Sequence, residues 1–218
     1  RDQPRSRGLG DVYKRQIYMT LVSTALGYVI GLPLGVTLAV TGKGGIRENK
    51  VVYRILDVIS NVIRSIPFLI LLILIIPLTR FLVGKSYGSS ATIVPLVIAA
   101  APFIARMVES SLQEVDEGVI EAAKSMGAGT WTIIFRVLLV EARTSLIVGV
   151  TIALGTILGY SAMAGVVGGG GLGDIAIRYG YYRYQTDIMV VTIVILVLIV
   201  QVLQALGMML SKKLDRRN

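Results

Sequence analysis

The sequence predicts an all-α, polytopic membrane protein with five transmembrane helices. Three observations carry that reading. Hydrophobic residues fill 54% of the 218 positions and mean hydropathy is +0.74, too apolar for an ordinary soluble domain. The apolar residues come in continuous runs, each near the ~20 residues a helix needs to cross hydrocarbon. The charged residues gather between those runs, and the basic ones favour alternate gaps. The chain has neither Cys nor His. Disulfides, thiolate chemistry, His- or Cys-based metal sites and His acid–base catalysis are therefore excluded. The net charge of +9 is spread along the chain, so membrane topology explains it better than nucleic acid.

Residues 1–16, RDQPRSRGLGDVYKRQ, do not fit the rest. They hold five basic residues, no apolar run and no cleavage site. The string DVYKRQ resembles the translated end of a transposon-based sequencing adapter. The segment is read as a gene-assembly artefact, the alternative being a genuine basic tail. Residues 17–218 then form the transmembrane domain.

The first span is expected at 17–41. Gly27, Gly31 and Gly35 recur at four-residue spacing, a small-residue face that admits close helix packing, and Pro33 is expected to bend it. A polar, basic segment follows at 42–57. The second span, 58–83, holds Ile66-Pro67-Phe68 and Pro77, and the third, 89–108, holds Pro95 and Pro102. The fourth is expected at 145–167 and the fifth at 187–210.

Between the third and fourth spans lies the longest stretch that cannot sit in lipid, DEGVIEAAKSMGAGTWTIIFRVLLVEA, from Asp116 to Ala142. Asp116 suits an N-cap, and Glu117 places negative charge at the positive end of the helix dipole. Val119, Ile120, Ala122, Ala123 and Met126 form an apolar stripe. Gly127 and Gly129 end the helix. A second helix starts near Thr130, with Ile133, Ile134, Val137 and Leu138 facing inward. Four basic residues fall in each of segment 42–57, this loop with its flanks, and the C-terminus, against four in both opposite loops together. The loop and C-terminus are accordingly expected in the cytoplasm and the N-terminus outside.

Arg64 sits inside the second span, with Asp57 and Asn61 preceding it on the same helix face. It either snorkels to headgroups or lines a translocation path. The stretch from Gly159 to Asp174 is dense in glycine, with Tyr160, Ser161 and Met163 as candidate lining residues. Gly168, Gly170 and Gly173 satisfy a dinucleotide-type spacing, but no strand precedes them. Gly84-Lys85-Ser86 lacks the first glycine of a phosphate loop, since Thr79 occupies that position. No nucleotide site, metal set or nucleophile–base pair is expected, and no cofactor.

The 116–142 pattern resembles the EAA loop of ABC-importer permeases. Glu121, Ala122, Ala123 and Gly127 match that loop's Glu-Ala-Ala and glycine, and Val137 and Leu139 fall at the spacing of its aliphatic-x-Leu ending. Val140 stands where the pattern has proline. Together with IRSIPFLILLILIIPLTRFLVG, APFIARMVE and GYSAMAGVVGGGGLGDIAIRYGYYRY, the chain is similar to permease subunits of methionine ABC importers across residues 17–210. That resemblance implies a type I ABC importer permease fold in a bacterial inner membrane. It implies a homodimer with two cytoplasmic ABC ATPase subunits and an extracytoplasmic methionine-binding lipoprotein. The permease is then no enzyme, ATP being hydrolysed by its partners. Methionine, in L and often D form, is the implied cargo, and the region of Met163 lies at the gate. Glu121, Ala122, Ala123 and Gly127 are expected to couple to the ATPase. A permease for another amino acid or small solute, or a stand-alone membrane channel or scaffold, are the rival readings.

Overall fold

The structure, a computed structural model, describes residues 6–214, with side chains from Gly10 to Lys213. The first five positions of the 1–16 segment, and Arg216 and Arg217 of the basic C-terminus, lie outside the described residues. Every regular element among the described residues is helical.

Helix α1, Ser6–Thr41, starts eleven residues earlier than the expected first span and continues through Pro33. Hydropathy stops at Ile17 because Gln16 is polar, yet Gln16 is fully buried and its amide is hydrogen-bonded. The second span differs most from expectation. It is a broken segment of α2 (Lys50–Ser65), α3 (Phe68–Leu74) and α4 (Ile76–Val83), with a 101° elbow between α2 and α3. The elbow sits at Ile66-Pro67. Proline pushes the preceding residue to extended geometry, and Ile66 has φ −80°, ψ 123°. Asn49 caps α2, its side chain accepting from the Val51 and Val52 amides.

Helix α5, Ser89–Gln113, runs straight through the charged end that hydropathy had trimmed at 108. Helix α6 is Glu117–Ser125, and α7, Thr130–Thr132, leads into a π-helical turn at Ile133–Leu138 and then α8, Leu139–Glu141. The long α9, Arg143–Met163, passes into a 3₁₀ turn at Ala164–Val167. After it come α10 (Leu172–Ile175), a second π-helical turn (Ala176–Tyr181) and α11 (Thr186–Leu214). Among the described residues four helices are long and apolar enough to cross a membrane unaided, and counting the broken pair as one span makes five.

The core is built on α1 against α5. A Cβ on Gly31 would stand 2.7 Å from the Ala101 carbonyl oxygen and 2.8 Å from Ile104 Cβ. On Gly35 it would stand 2.5 Å from the Ala105 carbonyl oxygen and 2.6 Å from Val108 Cβ. Gly27 meets Ala100 and the tip of Ile104 at looser distances. These three glycines let two backbones approach at van der Waals contact, where dispersion rather than water exclusion holds helices together in lipid. Leu96, Ile104, Val108 and Leu112 of α5 are buried on that seam. By contrast α11 leaves most of its Val, Ile and Leu side chains exposed, as a lipid-facing helix does.

Replacing Gly35 with Ala forces a methyl into backbone. Overpacking of this kind costs about 1–3 kcal/mol, so the purified protein should melt several degrees lower. Gly159→Ala, where a Cβ meets nothing within 4 Å, should melt like the parent. Differential scanning fluorimetry in detergent compares the two.

Candidate functional site

The hairpin between α5 and α9 is an exposed, structured connection between two membrane-crossing helices. Asp116 caps α6, its carboxylate accepting from the Gly118 amide at 2.7 Å, and Glu117 occupies the first turn. The helix closes on Gly127, which adopts φ +78°, a conformation costly for residues with a Cβ. The Ala128 amide then donates back to the Ala123 carbonyl at 3.1 Å, completing a glycine C-cap. Gly129 is extended (φ −71°, ψ 161°) and acts as the N-cap of the next helix rather than as part of the left-handed turn.

The apolar stripe of α6 divides. Ala123 is buried and Ile120 half-buried against the bundle, whereas Glu121, Ala122, Met126 and Gly127 face outward. Met126 is 81% exposed and Trp131 72%. Trp131 stacks on the exposed Phe135, ring centroids 5.9 Å apart. Ile133, Ile134 and Leu138 point into the core, with Val137 half-buried, and they fix the hairpin to it. Where the importer pattern has proline, Val140 lies within α8. Regular α-helix is interrupted by the π-helical turn before it and by a single turn residue, Ala142, after it.

Asp57 and Asn61 do not serve Arg64. Both bond Arg106 of α5, whose guanidinium bridges Asp57 across the helices and Glu109 at 2.6 Å along its own. Glu109 is almost fully buried, and its other oxygen accepts from Gln113 at 3.5 Å. This network ties α2 to α5 just before the elbow. Local spacing shows only the α2 half of this network, because a partner 49 residues away leaves no trace in it.

Near the other end of α9, Gln16 joins three elements. Its amide donates to Ser161 Oγ and to the Leu158 carbonyl oxygen at 3.4 Å, and its carbonyl oxygen accepts from the Leu172 amide at 3.1 Å. Ser161, a candidate lining residue, is fully buried in this junction, where it holds α1 against α9. Tyr160 is half-buried and stacks on Phe68, centroids 4.7 Å apart and planes 6° from parallel, which ties α9 to the elbow of the broken span. Met163 is 47% exposed on the opposite side of α9 from Ser161. The glycines beyond it serve close crossing: a Cβ on Gly173 would fall 1.9 Å from the Ala162 carbonyl oxygen, and Gly168, Gly170 and Gly171 all have positive φ.

Two cavities open between α5 and α9 and share Ser111, Glu114, Ser145 and Val148. One, about 390 Å³, reaches down to Asp116 and Glu141 at the root of the hairpin. The other, about 370 Å³, reaches up to Phe103, Ile152 and Arg64. Among the described residues no group of three metal-ligating side chains occurs.

A broken-span helical bundle with an exposed hairpin on its face is the architecture of an importer's membrane subunit, and the chain belongs to the family of binding-protein-dependent transport system inner membrane components, whose pattern it matches over residues 31–218. It is a multi-pass membrane permease of the type I ABC importer fold. It is 50% identical over 201 residues to the probable D-methionine transport system permease protein MetI of Vibrio cholerae, covering 92% of this chain and 89% of that one. It is 46% identical over 180 residues to the methionine import system permease protein MetP of Bacillus subtilis, covering 83% and 81%. Its fold superposes with a TM-score of 0.96 on a chain of the MetNI methionine ABC transporter solved in inward-facing conformations, at 46% identity over 99% of this chain and 100% of that one.

Arg106→Leu strands the buried Glu109 carboxylate. Removing one partner of a buried pair costs about 3–5 kcal/mol, so this variant should lose more thermal stability than the Arg106→Leu, Glu109→Leu double variant. Melting curves of the three purified proteins give the order.

Proposed function

We propose that the chain is the membrane-spanning subunit of an ATP-driven methionine importer. The observation that carries the reading is near full-length similarity, at about half of all positions, to permeases named for methionine transport. The permease acts as a homodimer above two ABC ATPase subunits that hydrolyse the ATP, and an extracytoplasmic lipoprotein delivers methionine, in L and D form. The hairpin and C-terminus face the cytoplasm, in keeping with their basic residues.

In this mechanism the exposed face of α6 docks into the ATPase. Glu121 supplies a surface charge, Ala122 admits close contact, and Ala123 seats the helix on the bundle. Gly127 sets the angle between the two arms of the hairpin. ATP-driven closure of the ATPases draws the two hairpins together, and α9 moves with them because the hairpin is packed through Ile133, Ile134 and Leu138. Met163, on the exposed face of α9, lies along the path at the gate, and Arg64 contributes from the elbow side. Tyr160 lies behind them, transmitting motion through Phe68.

The exposed apolar face that includes Met126 and Trp131 favours a docked partner over a stand-alone channel. Labelled L-methionine uptake into proteoliposomes holding the complete transporter tests the cargo. Saturation that unlabelled methionine abolishes, and that other amino acids leave intact, is expected; equal competition by an unrelated amino acid would point to the sister reading.

Gly127→Val places a β-branched residue at φ +78°, a strain of about 1–3 kcal/mol. Transport-coupled ATPase activity should fall while membrane insertion persists. Gly127→Asn, which tolerates the left-handed conformation better, should retain most of it. Coupling at the parental level in the valine variant would remove Gly127 from the mechanism.

A further inference from the structure

Helix α2 carries an exposed surface that the hairpin mechanism does not use. Within the broken span, α3 and α4 follow α5: Leu72, Ile76 and Thr79 share a small cavity with Ala91, Thr92 and Pro95. Helix α2 leaves that direction, turned from α3 by 101°. Asp57 and Asn61, one turn apart, both reach Arg106, as side chains of a helix that crosses α5 do.

Three faces divide α2. Ser60 is buried and Tyr53, Leu56 and Ile63 are half-buried on the side toward the bundle, where Asp57 meets Arg106. Val51, Val52, Ile55, Val58, Ile59 and Val62 form a second face, about 120° wide at 3.6 residues per turn, and all six are exposed. Lys50, Arg54, Asn61 and Ser65 form a third, also exposed. A helix standing upright in hydrocarbon shows apolar side chains over all of its lipid-facing surface. Here apolar and basic rows run side by side along the helix, the pattern of one lying in the interface plane. Between Gly42 and Leu56 the basic residues Lys43, Arg47, Lys50 and Arg54 stand against a single acidic one, Glu48.

The other arm is long enough to cross. Phe68–Val83 gives about 24 Å at 1.5 Å per residue, and the extended Ile66-Pro67 adds about 7 Å, together near the ~30 Å of hydrocarbon. The number of crossings is unchanged.

We propose that α2 lies along the cytoplasmic surface of the membrane, its valine and isoleucine face in the acyl-chain boundary and its Lys50 and Arg54, joined by Lys43 and Arg47, against the phosphates of anionic phospholipid. This rests on the orientation given above, with the hairpin inside the cell. A two-fold contact between copies through this face would set their basic rows beside each other, whereas an anionic lipid surface complements them. The Asp57–Arg106 pair then ties the lipid surface to the elbow.

The chain has no Cys, so a single introduced cysteine is its sole attachment point. Val51→Cys, Ile55→Cys, Val58→Cys and Val62→Cys, each labelled with bimane, are reconstituted in the complete transporter. The vesicles mix phosphatidylcholine and phosphatidylglycerol, with bromine placed near the headgroup or near the chain end of either lipid. Melting curves that match the parent show each variant folded. All four labels should be quenched alike, and more by the shallow bromines. Brominated phosphatidylglycerol should quench the Ile55→Cys label several-fold more than brominated phosphatidylcholine at equal mole fraction. Lys50→Gln with Arg54→Gln should remove most of that excess, since one basic residue at an anionic surface is worth about fivefold. Quenching that moves from shallow to deep bromines between Val51 and Val62 would stand α2 upright and overturn the proposal. Protection from both lipids would give the face to a second copy and overturn it too, and equal quenching by the two headgroups would overturn the anionic-lipid assignment. An impermeant maleimide should reach Arg54→Cys from the ATPase side alone; reaction from the opposite side alone would overturn the orientation, while the quenching by itself decides how the helix lies.

Discussion

The close approach of α1 to α5 is the constraint on which the remaining architecture depends. In hydrocarbon no water is released when two apolar helices meet, so affinity must come from contact area at short range. Gly27, Gly31 and Gly35 provide it by removing the side chains that would hold the backbones apart. With α5 fixed in this way, Arg106 is fixed as well, and through it the end of α2 that precedes the elbow. The same helix ends at Gln113 and leads through Glu114 to the hairpin, so one glycine seam sets the position of both cavities and of the hairpin.

Polar groups reinforce the seam where the membrane makes them most valuable. Gln16 satisfies two backbone groups and one hydroxyl from two other elements. Arg106 satisfies two carboxylates and an amide. Each network is nearly self-contained, and among the described residues only Ser23 Oγ is buried without a partner. The exposed surfaces sort by the same logic. Aliphatic α11 faces lipid, whereas the outward stripe of α9 includes Gly159 and Met163, smaller and softer residues that suit a moving contact.

Much of this was legible beforehand. Apolar length located the crossing helices, and the Asp116 cap with the Gly127 turn located the hairpin to within a residue. The glycine spacing on α1 marked its packing face. Failures came where long-range partners decide. Gln16 reads as the last residue of the anomalous 1–16 segment, and its bonds to Ser161 and Leu172 leave no trace in local spacing. Ser161 reads as a lining residue for the same reason, since its enclosure depends on a helix 145 positions away. Asp57 and Asn61 satisfy a local rule with Arg64, but Arg106 outcompetes it from a neighbouring helix. The 101° elbow was hidden because proline in a membrane helix often gives only a slight kink, and hydropathy is blind to direction.

The passage from hairpin to α9 has a mechanical consequence. Ala142 is the one residue that interrupts helix there, yet its amide donates to Leu138 and its carbonyl accepts from Leu146, each at 2.9 Å. Those two bonds bridge the interruption, and the wider π-helical winding at Ile133–Leu138 comes just before it. The hairpin and α9 are thus held together by two backbone bonds that skip across one turn residue. A proline at 140 would remove one more amide from this junction and make a joint of it.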